Sequence, residues 1–336
     1  MDIYSAQRLI GEDIITVMYE RYTILKFVSE NNSAGRRSIA DALNLTERTA
    51  RKHIDYLSDK NLIRINKYGV TVLDEAYVVL DYLADYFSRV FSFKEKEVAL
   101  KELLDINDVV IVRGNCDTDE VSISNMAYEA DKIFTDTPLG SKIIGVSGGR
   151  TMKAVADNLK SIISSQIVVV PVRGAVGRSH TASANSVSTT IGMKLKCNAY
   201  SLNVPENLSG DALKVFSQHP DVQVVTSTYD KIDMLFFGIG RPDELIEYRI
   251  FDELEKGLVS SDNCIGEALG YYLDINGKVI LHPKSIGLST DQIKRIPKKY
   301  AVAGGASKKD AIKAVCSFAK DIVLITDEGC ADALLK

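Results

Sequence analysis

The residues best placed to do chemistry are glycines and cations at the ends of apolar runs. Ile143-Ile144-Gly145-Val146 leads into Ser147-Gly148-Gly149-Arg150-Thr151-Met152, which reads as a strand, a glycine turn and the start of a helix. The first N–H groups of a helix lack intrahelical partners and carry partial positive charge, so such a turn can hold a phosphate. Glycine lets the main chain approach the bound group closely. The spacing is not G-x-G-x-x-G and lacks the P-loop lysine-serine pair, which disfavours a dinucleotide or nucleotide. Ala301-Val302-Ala303-Gly304-Gly305-Ala306-Ser307-Lys308 repeats the geometry with lysine beside the turn, and Val169-Val170-Pro171-Val172-Arg173-Gly174 places an arginine just past a third apolar run. In open α/β sheets ligands collect beyond the carboxyl ends of the strands. Two glycine turns with Arg173, Lys308 and Arg249 suit a ligand carrying more than one phosphate.

A second chemistry lies nearer the N-terminus. From Arg36 to Lys67 there are eight Lys/Arg against four Asp/Glu, a local surplus of four in a chain whose net charge is −4. Local sign matters more than the total for a surface that meets phosphate. Arg48 and Arg51 are the candidate base readers, since a guanidinium can bond guanine through two parallel hydrogen bonds. Arg36, Arg37, Lys52 and Lys67 are candidate phosphate contacts, with Thr46 at the start of the same helix.

The elements that must position these groups fall into two kinds. Ile14, Ile15, Met18, Tyr22, Leu25 and Val28 recur at helical spacing, so the first helix is expected from about residue 12. A short second helix follows over 37–43, and a third opens at Thr46 as N-cap and buries Ala50, Ile54 and Leu57. Leu62 to Leu73, with a turn at Lys67-Tyr68-Gly69, reads as a hairpin. Three helices and a hairpin make a winged helix-turn-helix, whose second helix of the pair enters the major groove. Residues 75–104 read as one or two helices that link domains or pair between subunits. From about residue 107 apolar strands alternate with helices: 109–112, 143–146, 167–170, 234–237, 300–303 and 322–325. Continuous apolar strands belong to a mainly parallel sheet covered on both faces. The expected division is a winged helix-turn-helix domain with linker helix over 1–88 and an α/β effector-binding domain over 89–336.

Composition agrees with two globular domains: 336 residues, 46% hydrophobic and 26% charged. No apolar run approaches the roughly 20 residues of a membrane span. Met1-Asp2-Ile3-Tyr4 has neither a basic n-region nor an apolar h-region, so a cytoplasmic location is expected. The five cysteines show no metal-ligand spacing and are expected as reduced thiols. Neither a metal nor a cofactor is expected.

The chain resembles the SorC/DeoR class of sugar-sensing transcriptional regulators, and within it the branch that governs central glycolytic genes. The resemblance spans nearly the whole chain. It is carried by Arg21-Tyr22-Thr23-Ile24-Leu25, Gly35-Arg36-Arg37-Ser38, Leu45-Thr46-Glu47-Arg48, Gly148 to Thr151 and Pro171 to Gly174, and by Glu267 to Tyr272, Ala301 to Lys308 and Thr326-Asp327-Glu328-Gly329. It implies a repressor that binds operator DNA as a dimer or tetramer, with a C-terminal domain like the sugar-phosphate isomerases that binds without catalysing. The implied effector is fructose 1,6-bisphosphate, and the implied effector site is Gly148, Gly149, Arg150, Thr151, Arg173, Ser183, Arg249, Glu267 and Lys308, with Glu267 suited to sugar hydroxyls. Three departures from the class stand out: Arg150 replaces the first threonine of Gly-Gly-Thr-Thr, Ser183 replaces an expected glutamine, and the basic cluster around Arg249 is thinned. They leave open another sugar or polyol phosphate, or a deoxyribonucleoside. An isomerase or deaminase is the rival reading. It needs a positioned acid and base, and His53, His180, His219 and His282 form no evident pair with a carboxylate in the sequence, although Glu267, Asp327 and Glu328 could serve.

Overall fold

The computed structural model describes residues 3–31, 33–91, 93–136, 142–159, 166–174, 182–205, 208–247, 249, 251–282 and 284–336. Two compact units emerge: residues 1–94 with 112–122, and residues 95–111 with 123–336.

In the first unit α1 spans Ile3–Glu30 and breaks at Gly11 (φ −145°, ψ 35°). It starts well before residue 12. Its first turns leave Ile3, Leu9 and Ile10 exposed, so they carry no inward-facing stripe for periodicity to reveal. α2 is Arg36–Ala42 and α3 is Glu47–Asp59, the latter opened by Thr46, whose hydroxyl accepts from the Thr49 amide at 3.1 Å. The inward face of α3 carries Ala50, Ile54 and Leu57, as expected, and also His53. β1 (Ile63–Asn66) and β2 (Gly69–Val72) pair antiparallel as the wing. Ala34 bridges to Val70, so the segment before α2 lies along the wing. Ile24, Leu25, Ile39, Ile54, Ile63 and Val70 are buried together at the centre. Each contributes about 1.5–3 kcal/mol by leaving water. α4 (Asp74–Val90) packs on α1 through Tyr19, Tyr22, Phe87 and Phe91, with ring centroids 5.0–6.0 Å apart.

The second unit opens with α5 (Lys94–Leu104), β3 (Asp108–Val112) and α6 (Val121–Asp136). β4 (Lys142–Val146), α7 (Arg150–Asn158), β5 (Ile167–Pro171), α8 (Ala184–Leu195) and β6 (Asn198–Ala199) follow. Next come α9 (Gly210–Gln218), α10 (Pro220–Thr226), β7 (Met234–Gly238), α11 (Pro242–Leu245) and α12 (Glu253–Val259). A small antiparallel sheet is made by β8 (Gly266–Ala268), β9 (Tyr271–Leu273) and β10 (Val279–Leu281). The chain closes with α13 (Thr290–Arg295), β11 (Lys298–Val302), α14 (Lys309–Phe318), β12 (Val323–Asp327) and α15 (Glu328–Leu335).

The main sheet has the order β3-β12-β11-β7-β4-β5-β6, and its pairings from β12 to β6 are parallel. All six expected strands are in it. The one added to them, β6, is two residues long and too short to show in the sequence. Phe236, wholly buried, stacks between Phe134 (4.2 Å) and Tyr300 (4.7 Å), which ties the sheet to its helical cover. From β4 the chain builds outward through β5 to β6, whereas β7, β11 and β12 build the other way. The junction of β4 and β7 is therefore a topological switch point, where such sheets open a crevice.

Candidate functional site

Ser147, Gly148 and Gly149 carry the chain from β4 into α7. Gly149 sits at φ 114°, ψ 160°, a backbone region essentially restricted to glycine. A Cβ on Gly148 would fall 2.7 Å from the Ala182 carbonyl and 2.8 Å from the Ala184 nitrogen, so the turn lies against the start of α8. The Gly149 amide donates to that same Ala182 carbonyl at 2.7 Å. Ser183 caps α8, its hydroxyl accepting from the Ser186 amide at 3.1 Å. Ser147 Oγ accepts from the Gly238 amide at 3.1 Å and ties the turn to the end of β7. The helix starts of α7 and α8 thus share one space, a cavity of about 740 Å³ beyond the carboxyl ends of β4, β5 and β7.

Gly148, Gly149, Arg150, Thr151, Arg173, Ser183, Arg249, Glu267 and Lys308 all line that cavity. β8 brings Glu267 there by exchanging main-chain hydrogen bonds between Gly240 and Glu267 (2.8 and 2.9 Å). Glu267 Oε1 accepts from Arg249 at 3.1 Å and from the Gly270 amide at 2.8 Å, and lies 3.7 Å from Arg173. Arg249 also donates to the Tyr272 hydroxyl at 2.7 Å. Burial pushes the Tyr272 hydroxyl well above its ordinary range against the opposing pull of Arg249, so it stays protonated. Arg173 is only 5% exposed and is wedged against Gly270 (φ 93°), where a Cβ would lie 2.9 Å from the guanidinium. Leu269, also lining the cavity, holds φ 57°, a strained value for a leucine. The buried carboxylate of Glu267 therefore organises two arginines through one oxygen.

The second glycine turn departs from the expectation. The Gly305 amide donates to Asp327 Oδ2 at 2.7 Å, and Asp327 Oδ1 accepts from the Cys330 amide at 2.8 Å. A buried carboxylate already accepts from the amide that this turn would offer an anion. From this turn only Lys308 lines the cavity, its ammonium donating to the Ile239 carbonyl at 3.1 Å.

In the first unit Arg48, Arg51 and Lys52 are exposed on α3, beside its cap Thr46. Lys67 is exposed on the wing, 4.9 Å above the Tyr68 ring. Arg36 pairs with Asp55 (3.5 Å) and Arg37 with Glu47 (3.4 Å), so these two also brace α2 on α3.

Two family descriptions cover the chain: an N-terminal DNA-binding domain of the CggR type matches residues 17–87, and a sugar-binding domain matches residues 88–336. The central glycolytic genes regulator of Bacillus subtilis is 32% identical over 337 residues, covering 99% of this chain and 98% of that protein. A crystal structure of a SorC family transcriptional regulator from Enterococcus faecalis matches 72% of this chain and 100% of its own, at 30% identity and TM-score 0.68. The full-length sorbitol operon regulator SorC from Klebsiella pneumoniae covers 96% of this chain and 99% of its own at 18% identity and TM-score 0.64, a likeness of fold. The chain belongs to the SorC family of transcriptional regulators. It is a DNA-binding regulator with a sugar-sensing domain.

Three features of this SorC family member escape the sequence. Asp243, Glu244 and Glu247 also line the cavity, and Arg241 pairs with Asp243 and, at 3.4 Å, with Glu244. The hydrogen bond from Arg241 draws the Asp243 carboxyl below its usual range. The available signal was Phe237-Gly238-Ile239-Gly240, another apolar strand ending in glycines. A histidine–carboxylate pair also exists: His53 Nε2 lies 2.7 Å from Glu20 Oε2 inside the first unit, joining residues 33 apart. His180 lies outside the described residues. All five cysteines are free thiols, and no described helix is long and apolar enough to cross a membrane.

Proposed function

We propose that this chain is a cytoplasmic repressor of glycolytic genes that loosens its hold on operator DNA when fructose 1,6-bisphosphate enters the cavity. In this reading residues 1–88 read DNA and 89–336 hold the effector. One observation carries it. The starts of α7 and α8, the buried Arg173 and the Glu267-held Arg249 converge on one cavity at the sheet's switch point. Helix starts favour anions, and buried guanidinium groups recognise phosphate through paired hydrogen bonds. Binding without catalysis is supported by the cavity's lining, which among the described residues includes no histidine to act as acid or base. Arg48 and Arg51 would read bases, and Arg36, Arg37, Lys52 and Lys67 would grip phosphates. Exposed Ile3, Leu9, Ile10 and Ile14 on α1 support self-association as a dimer or tetramer, with each protomer reading a half-site.

A second reading has its own support. The occupied Gly305 amide and the acids Asp243, Glu244 and Glu247 favour a sugar carrying one phosphate, with hydroxyls toward the acids. A thermal-shift screen of fructose 1,6-bisphosphate against hexose and polyol monophosphates separates the two, because at equal concentration the tighter ligand stabilises the folded state more, by RT ln(1 + [L]/Kd). Fructose 1,6-bisphosphate should give the largest shift and lower operator affinity. Arg173→Ala should weaken its binding about 100-fold, since truncating one partner of a buried charge pair costs about 2–5 kcal/mol. Turnover of any sugar phosphate at about 1 s⁻¹, the low end of ordinary enzymes, would overturn the binding-only reading.

A further inference from the structure

His53 is the odd member of the buried face of α3. Ala50, Ile54 and Leu57 beside it are apolar, and His53 itself is only 2% exposed. Two adjacent residues of α1 hold it. His53 Nε2 lies 2.7 Å from Glu20 Oε2, and Arg21 Nε lies 3.4 Å from His53 Nδ1. A guanidinium has no acceptor, so Arg21 donates to Nδ1, and the ring hydrogen sits on Nε2 and is donated to Glu20. The same Arg21 guanidinium lies over the Tyr56 ring, 3.5 Å from its centroid. His53 and Tyr56 are three residues apart and so are neighbours on the surface of α3. Glu20 and Arg21 therefore grip α3 at two adjoining points.

Apolar packing alone does not hold a helix at one angle. Cores of the right size and pattern lose uniqueness before they lose stability. Hydrogen bonds are directional, so a rotation that Ala50, Ile54 and Leu57 could absorb would break both bonds of His53 and leave a buried ring unsatisfied. Fixing register is the best-attested use of such a buried polar group. What the angle governs lies on the other side of the same helix, where Arg48, Arg51 and Lys52 are exposed. A helix surface lies about 5–6 Å from its axis, so turning α3 by about 20° carries those side chains about 2 Å. A bidentate bond to a base edge does not survive that displacement, whereas a contact to phosphate, carried by charge, largely does.

We infer that the Glu20–His53–Arg21 clamp fixes the rotation of α3 about its own axis and so sets sequence specificity, with His53 as a positioning residue. The inference rests on the reading in which α3 presents Arg48 and Arg51 to bases, and the two fail separately in the test below. The readout is the ratio of affinities, at fixed salt, for a duplex selected from a random library for tight binding and for a scrambled duplex of the same length. In full-length protein, His53→Leu should leave the urea midpoint at or above wild type, since apolar groups often replace a buried polar cluster without loss. The affinity ratio should nevertheless fall at least fivefold, with affinity for the scrambled duplex within twofold of wild type.

Glu20→Ala should lower the ratio in the same direction. Glu20→Gln, whose amide oxygen still accepts from Nε2, should keep it within twofold of wild type. A merely structural role predicts the opposite split, with the urea midpoint lowered and the ratio unmoved. A wild-type ratio in folded His53→Leu overturns the inference. If that variant does not fold, Glu20→Ala decides in its place, and a wild-type ratio there overturns the clamp. Arg48→Ala and Arg51→Ala report on base reading by themselves. Wild-type ratios in both would remove that assignment, while a lowered ratio in the clamp variants would still show that the angle of α3 sets specificity through other side chains.

Discussion

Gly148-Gly149 and Gly304-Gly305 share one local pattern: an apolar parallel strand, two glycines, then a helix. Both second glycines sit at positive φ, 114° and 101°. One turn lines the cavity with both its glycines, together with the first residues of α7. The other gives its Gly305 amide to the wholly buried Asp327 carboxylate, which also caps α15. The same backbone device thus opens onto a cavity once and once locks β11 and β12 to the helices that follow them. What separates them is a single carboxylate 22 residues downstream of Gly305. A glycine turn advertises an anion site, and whether the protein supplies its own anion decides the use.

The sharpest way to break this contrast is Asp327→Ala. It removes the acceptor for two buried amides, and each lost bond to a charged group costs about 1.5–3 kcal/mol. The expected loss of stability is about 3 kcal/mol or more, read by urea unfolding of the C-terminal unit. The folded fraction should still bind fructose 1,6-bisphosphate within threefold of wild type. A variant that stayed stable but bound the sugar far more tightly would mean that this turn is a second phosphate site held closed by Asp327.

Gly148→Ala tests the open turn and should do the reverse. The added methyl meets main-chain atoms of Ala182 and Ala184 rather than a mobile side chain, so α7 and α8 must separate at their shared start. Overpacking of this kind costs about 1–3 kcal/mol. Effector affinity should fall about tenfold or more, a loss of about 1.4 kcal/mol. Calorimetry showing wild-type affinity would remove the α7–α8 junction from the effector site.

How much of this was legible from residues alone divides along the same line. The strands were plain because Ile143–Val146, Val169–Val170 and Met234–Phe237 are apolar without interruption, as burial on both faces requires. That the first glycine turn, Arg173 and Lys308 would share one edge followed from chain topology, since strand ends in a parallel sheet collect there, whereas Ser183 and Glu267 came from the family resemblance. Thr46 was legible because capping is local. Pairings set by tertiary closure were not. Nothing near Gly305 announces Asp327, nothing near Arg249 announces its bond to Tyr272, and His53 meets Glu20 only because α3 crosses α1. The acids of α11 were missed for a related reason. No apolar spacing marks the segment after Arg241, and only the turn at Gly238 to Gly240 brings these acids to the cavity.

Lys308 is where the two turns meet, and it carries the smallest expected effect. It belongs to the locked turn yet lines the cavity fed by the open one, with its ammonium on the Ile239 carbonyl at the end of β7. Lys308→Ala removes one cation of the cavity while the Asp327 lock stays in place. Stability should fall by about 1.5 kcal/mol, less than for Asp327→Ala, since the ammonium's bond to the Ile239 carbonyl is one from a charged group. Affinity for fructose 1,6-bisphosphate should drop about tenfold, and affinity for fructose 6-phosphate about threefold or less, if Lys308 faces the second phosphate. Equal losses for the two sugars would place Lys308 at the first phosphate instead, beside α7. The locked turn would then serve the open one directly, and the contrast between them would narrow to a difference in which atoms of each turn face the ligand.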